Sequence, residues 1–248
     1  MDQGYDAARR LESSGLRAAI RPERRATTAA GVLVIAGMAA GLLSVVPVLE
    51  ETDYLRVLPA REGEVVAGAL FQALMVPAYA GFALALHPTL KQASAGLSLG
   101  FVGFRLVACG FHLLAVAMLA LLLDLGRGYA ASAAPSYEVV AETVRLARDL
   151  VNHFVVIATM SMGDLLLFAL LYRWRLVPRW LSVWGVIGIA FAVLGSLLFL
   201  AGGVEIVSVG YLALNGPLAL HGVVLAVWLV ARGFDLGRLG AGRRSEVR

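Results

Sequence analysis

Four ionisable side chains lie inside long apolar runs of this 248-residue chain. They are Arg105 and His112 in one run, Asp164 in a second and His221 in a third. If the runs cross a bilayer, each charged group costs at least ~2.5 kcal/mol near the membrane centre, so each needs a reason to be there. Buried Asp, His and Arg side chains are what ligand sites and proton paths inside membranes use.

The four residues are expected at similar depths. A helix rises about 1.5 Å per residue, which places Asp164 and His221 near the midplane, Arg105 about 5 Å to one side and His112 about 5 Å to the other. Arg105, Cys109 and His112 follow the spacing i, i+4, i+7 and share one helix face. The sequence therefore predicts a central polar cluster of Arg105, His112, Asp164 and His221.

Three interpretations of this cluster stay open. An Arg105–Asp164 ion pair, with the histidines bonded to backbone or hydroxyl groups, would only fix helix register. A polar cavity would bind a small ligand or relay protons. Alternatively, His112 and His221 could be axial haem ligands, or form a two-histidine, one-carboxylate metal set with Asp164. No G-x-S-x-G or H-E-x-x-H motif and no phosphate loop occurs, so the sequence favours neither an enzyme nor a particular cofactor.

Composition predicts the elements that carry these residues. The chain is 60% hydrophobic and 15% charged, with a mean hydropathy of +0.81, whereas globular domains are about 25% charged. Apolar runs of about twenty residues each suit one bilayer crossing. We predict an all-α bundle of six transmembrane helices over 26–231, between basic tails at 1–25 and 232–248. The spans are placed at 26–49, 65–86, 95–123, 154–172, 180–201 and 211–231.

Two further patterns concern packing. Residues 137–152 are amphipathic and predict an additional outer-surface helix that runs into the fourth span. The pairs Gly37/Gly41 and Gly96/Gly100 permit close helix approach, either within the bundle or in a homo-oligomer.

A basic hinge between the fourth and fifth spans predicts the orientation. It contains Arg173, Arg175 and Arg179, followed by Trp180, and these residues anchor the chain at the membrane surface. Fifteen Lys and Arg residues fall on the hinge side of the six spans and five on the other. Both termini are therefore predicted to be cytoplasmic. The arginines are distributed according to the membrane topology and are not gathered on one face, so the net charge of +4 does not indicate binding to nucleic acid. The expected partner is the lipid bilayer.

The hinge also carries a resemblance. Its residues resemble the signature of a bacterial membrane-protein family. The matching residues are Tyr172, Arg173, Arg175, Pro178-Arg179-Trp180 and Trp184-Gly185 at the start of the fifth span, together with the Phe104-Arg105-Leu106 step. That family is catalogued as domain of unknown function 4386. The resemblance covers about residues 25–233. It implies a six-helix protein of the bacterial inner membrane, and it implies no activity, cofactor or catalytic residue.

Overall fold

The computed structural model describes the backbone of residues 2–206 and 208–237 and the side chains of 23–206 and 208–237. The predicted tail at 232–248 thus lies largely outside the described residues. Within them the chain is helical and has no strand. The α-helices are α1 Asp2–Leu43, α2 Tyr54–Val57, α3 Glu62–Ala93, α4 Ala95–Ser132, α5 Pro135–Leu150, α6 Val156–Arg173, α7 Arg179–Leu200 and α8 Val209–Ala231.

Six segments of the described chain are long and apolar enough to cross a membrane. They are the second half of α1 from Glu23, α3, α4, the α5–α6 segment, α7 and α8. The predicted all-α fold with six spans is confirmed. The amphipathic helix before the fourth span is also present as α5, and a single π-helical turn, Val151–Val155, joins it to α6.

Several predicted boundaries were wrong. Helix α1 ends at Leu43, not at residue 49, and a 3-10 turn, Pro47–Glu50, follows. Helix α3 continues through Pro77 and Pro88 to Ala93, beyond the predicted end of the second span at residue 86. A proline removes one backbone hydrogen bond but need not end a helix whose neighbours hold it in place. Only Ser94 separates α3 from α4, and its hydroxyl accepts a hydrogen bond from the Leu97 N–H at 3.4 Å.

Helix α4 is longer than expected. The third span was predicted to end at residue 123, but the Gly/Ala/Ser-rich stretch that begins at Asp124 continues the helix as far as Ser132. A β-carbon on Gly126 would lie 3.2 Å from the Leu55 carbonyl oxygen, so the missing side chain lets this part of α4 pack against α2. Close packing, rather than helix propensity, explains the extension.

The six spanning helices form a closed ring. In order around it, α1 packs on α3, α3 on α4, α4 on α6, α6 on α7, α7 on α8 and α8 back on α1. We call the end that carries Ser94 and residues 174–178 the hinge end. The opposite end, which carries residues 44–61 and Ala133–Ala134, is the loop end.

The two ends have separate hydrophobic cores. The larger core runs from the bundle centre to the hinge end and includes Phe82, Phe101, Leu167, Leu176 and Leu229. The smaller core lies at the loop end and includes Val48, Leu58, Leu119, Leu122 and Ala141.

The ring is closed at the hinge end by an arginine on α1. The Arg24 guanidinium donates to the carbonyls of Leu229 at 3.0 Å, Val230 at 2.7 Å and Ala231 at 2.9 Å. The last carbonyls of a helix have no partner inside the helix, and a cation there also complements the helix dipole. Arg24 therefore caps α8, although the sequence placed it in the basic tail.

Candidate functional site

Arg105 and Asp164 form a buried ion pair between neighbouring helices of the ring. The Arg105 Nη2 group donates to Asp164 Oδ1, and the two residues are only 6% and 8% exposed. Glycines allow α4 and α6 to approach here, because a β-carbon on Gly163 would lie 3.1 Å from Cβ of Phe104. The predicted ion pair is therefore present, and it connects two spans that are 59 residues apart in sequence.

Aromatic rings surround the guanidinium. Its central carbon lies 5.2 Å from the Phe82 ring centre, 5.6 Å from that of Tyr79 and 5.8 Å from that of Phe101. Cation–π contacts of this kind stabilise a charge that is removed from water. Arg105 Nε is nevertheless buried and has no hydrogen-bond partner.

His221 lies on α8 and is 1% exposed. Its Nε2 atom is 2.9 Å from the carbonyl oxygen of Leu181 on α7. Because a carbonyl only accepts, Nε2 carries a proton, and in the neutral form of the ring Nδ1 is an acceptor. The Phe168 and Trp184 rings pack edge-on at 4.8 and 5.7 Å between ring centres.

Three of the four predicted residues line one cavity. Arg105, Asp164 and His221 face a space of about 470 Å³ inside the ring, which we call the central cavity. Tyr79 and Asn215 are its other polar lining residues. Most of its wall is apolar and includes Val34, Met38, Phe82, Leu167, Leu218 and Leu225.

His112 lines a second cavity of about 650 Å³ nearer the loop end, the outer cavity. The side chain is 4% exposed, and neither ring nitrogen has a hydrogen-bond partner. Its ring stacks on Tyr79 with 6.0 Å between centres. Since Tyr79 lines the central cavity and His112 the outer one, this stack lies at the boundary between them.

The structure does not bring together the residues of the haem and metal sites that the sequence suggested. His112 and His221 line different cavities, and His221 Nε2 is already bonded to a backbone oxygen. Across the described residues, no three His, Cys, Asp or Glu side chains are grouped so that they could hold a metal ion. The set His112, His221 and Asp164 is therefore not a formed metal centre.

The comparison with known families agrees with this architecture. A family model described as Domain of unknown function (DUF4386) matches residues 29–233. The chain belongs to the DUF4386 family. The matched region includes the hinge and the six spans, except for the first six residues of the first span. No curated protein and no solved structure matches the chain.

In this DUF4386 protein the outer cavity contains polar pairs that sequence reasoning missed. The Gln72 amide donates to Asn152 Oδ1 at 2.8 Å, and His153 Nδ1 lies 2.9 Å from the Tyr211 hydroxyl. Asn152 and His153 are part of the π-helical turn, and π turns are frequent at functional sites. No periodicity in the sequence shows that an extra residue in the turn brings His153 against Tyr211.

A buried Arg148–Asp149 pair also lines the outer cavity and was not predicted as a site. The closest contact, Arg148 Nη1 to Asp149 Oδ1, is 3.5 Å, and Arg148 Nε has no partner. Position on an amphipathic helix suggested a solvated face for these charges. Packing of α5 against α4 instead leaves Asp149 only 8% exposed.

The predicted anchors of this DUF4386 chain lie at the hinge end. Trp180 is 53% exposed and stacks on Trp184, as expected for an indole at the membrane surface. Arg173 lies over the Trp174 ring at 5.2 Å, and Arg179 over the Tyr172 ring at 4.9 Å.

Three of the four glycines in the predicted small-residue pairs pack against neighbouring helices, and Gly96 has nothing within 4 Å. A β-carbon on Gly37 would lie 2.8 Å from Tyr79, and one on Gly100 would lie 2.7 Å from Leu166. Gly41 faces Met75. The Gly37/Gly41 face is therefore covered by α3 and is not a free surface for self-association.

Proposed function

We propose that this multi-pass membrane protein is not an enzyme and binds a small amphiphilic molecule inside its ring of helices. The central cavity is the observation that supports this most. Its volume of about 470 Å³ lies within the roughly 300–1,000 Å³ typical of small-molecule sites. Apolar walls with a few convergent polar groups are also typical of such sites.

The polar groups favour a neutral ligand head. Asp164 already balances the charge of Arg105, so a charged head would add an unpaired charge beside a buried ion pair. Arg105 Nε is a donor without a partner, and His221 Nδ1 is left as an acceptor. A head that both accepts and donates hydrogen bonds, such as a hydroxyl or an amide, matches this donor and acceptor better than a charged head does.

The outer cavity is the proposed route of entry. It contains two further buried groups without complete partners, His112 and the Oε1 atom of Gln72. Gly41 lines both cavities. A ligand would pass from one to the other when the Tyr79–His112 stack opens.

Chain-matched amphiphiles test the proposal. Thermal unfolding of the full-length protein in phosphatidylcholine nanodiscs would be followed with decanol, decanoate and decylamine. We expect decanol to raise the melting temperature most, and Ala219→Phe, which places a ring on the cavity wall, to abolish that rise. Equal shifts for the three compounds, or an unchanged decanol response in Ala219→Phe, would show that the cavity is not the site.

Proton relay is a second candidate. Tyr79 contacts His112 on one side and the Arg105 guanidinium on the other, so it joins the groups of the two cavities. Proteoliposomes that contain a pH-sensitive dye test this. A relay requires the wild type to dissipate an imposed pH gradient and both Asp164→Asn and His112→Ala to block that dissipation. A wild-type rate equal to that of empty liposomes contradicts it.

The proposed setting is the bacterial cytoplasmic membrane, with both termini in the cytoplasm. Support comes from the Lys and Arg residues, most of which fall at the hinge end and in the tails. Alkaline phosphatase fused after Gly237 should stay inactive, and a fusion after Ala133 should be active. The reverse pattern would invert the orientation.

A further inference from the structure

A third cavity, at the hinge end, has a different chemistry. It measures about 660 Å³ and lies between the hinge and the segment that follows α8. Arg175, Arg179 and Arg232 all line it, together with a single acid, Asp235. The lining thus has an excess of positive charge, which neither of the two interior cavities has.

None of the three arginines forms a salt bridge with a described residue. Arg179 and Arg232 lie over aromatic rings, those of Tyr172 at 4.9 Å and Trp228 at 5.3 Å. A ring face holds a guanidinium in place and leaves the N–H groups at its edge able to donate.

The walls of this cavity are built by the fold. Leu176 and Val177 are 0% and 3% exposed, and the Leu176 carbonyl accepts from the Asp235 N–H at 3.0 Å. This bond fixes the segment after α8 against the hinge. Arg175 has a φ of +53°, a left-handed conformation that non-glycine residues adopt rarely. The hinge is therefore a defined structure that places its arginines around one space.

We propose that the hinge cavity binds a phosphate group, that of an anionic phospholipid headgroup. Guanidinium groups match phosphate oxygens with paired N–H donors, and several of them around one pocket give both affinity and geometry. Basic pockets between transmembrane helices are known to hold acidic headgroups. The exposed Trp180 next to this cavity is consistent with the headgroup level of a bilayer. This site is independent of the two interior cavities.

Binding of defined lipids to the full-length protein tests the proposal. Dioleoyl phosphatidylglycerol and dioleoyl phosphatidylcholine share their acyl chains and differ in net charge. Native mass spectrometry and thermal unfolding in detergent would compare the two lipids and inorganic phosphate. We expect phosphatidylglycerol to bind and stabilise the wild type, and phosphatidylcholine to have little effect. Comparable stabilisation by inorganic phosphate alone would support the same site with a soluble phosphate as its ligand.

Single substitutions distinguish binding in the hinge cavity from a general effect of positive charge. Arg175→Gln, Arg179→Gln and Arg232→Gln should each weaken phosphatidylglycerol binding about tenfold or more, because each removes charge-assisted hydrogen bonds. Arg173→Gln is the matched control: it removes the same charge from the same hinge, but Arg173 does not line the cavity. A variant with all three replaced by Lys keeps the topology charges and should still bind more weakly than wild type. Equal affinity in the cavity variants and Arg173→Gln would overturn the proposal.

Discussion

Among the described residues, two Arg–Asp pairs are built differently, one between ring helices and one on α5. Arg105–Asp164 joins two spans across 59 residues and is enclosed by three aromatic rings. Arg148–Asp149 joins neighbours on one helix, with a closest contact of 3.5 Å, beside a cavity that Glu50 also lines. The first pair holds two helices together, and it also lines the central cavity. The second pair only places two charges at a cavity wall, because adjacent residues on a helix do not face each other.

Removal of one partner of the first pair should have the largest effect. Asp164→Leu leaves the Arg105 guanidinium buried without its counter-charge, which is expected to cost about 3–5 kcal/mol in the free energy of unfolding. The double variant Arg105→Leu/Asp164→Leu should recover most of that loss. Unfolding in mixed micelles, followed by tryptophan fluorescence, gives both values. If Asp164→Leu and Arg105→Leu each remain as stable as wild type, the pair does not hold the bundle together.

Arg148→Leu should cost less, about 1–2 kcal/mol, a value between those of exposed and fully buried pairs. Two double-mutant cycles measured in the same micelles compare the two pairs most directly. The coupling energy between residues 105 and 164 should exceed that between 148 and 149. A larger coupling for the second pair would reverse the interpretation of both.

The boundary between the cavities predicts a change in accessibility. Cys109 is the only cysteine, is 5% exposed, and has its sulfur 3.5 Å from the Val76 carbonyl oxygen. Tyr79→Ala should open the space beside Cys109 and raise the rate of its alkylation by N-ethylmaleimide about tenfold. This factor corresponds to a decrease of about 1.4 kcal/mol in the free energy of local opening. Tyr79→Phe keeps the ring and serves as control. Equal rates in the two variants would mean that the ring does not separate the cavities.

The smallest expected effect concerns the helix that supports this ring. Gly37→Ala puts a methyl group 2.8 Å from Tyr79 Cε1 and should destabilise the protein by about 1 kcal/mol, the low end of the range for overpacking, because the Tyr79 ring borders a cavity into which it can shift. Gly96→Ala is the control, since nothing lies within 4 Å of that position; it should be neutral or stabilising by up to about 1 kcal/mol. Unfolding in the same micelles measures both. A neutral Gly37→Ala would show that Tyr79 can move freely.

The sequence by itself determined the fold class, the number of spans and the family. Long apolar runs leave the chain few alternatives in a bilayer, where backbone groups must be paired within a helix. The costs of buried charge also identified Arg105, Asp164, His112 and His221 as residues that need partners. Arg105 and Asp164 could be paired in advance because they have opposite charge and similar predicted depth.

Only the tertiary structure decided how these residues are divided. Depth along a helix does not give the direction in which a side chain points, so one predicted cluster became two cavities with Tyr79 and His112 between them. The π-helical turn rotates the chain ahead of α6, and no pattern of hydrophobic residues records that rotation. The hinge arginines were predicted as anchors because of their charge. Their arrangement around one cavity depends on the backbone of Arg175 and on the return of the chain at Asp235, contacts that arise only once the ring has closed.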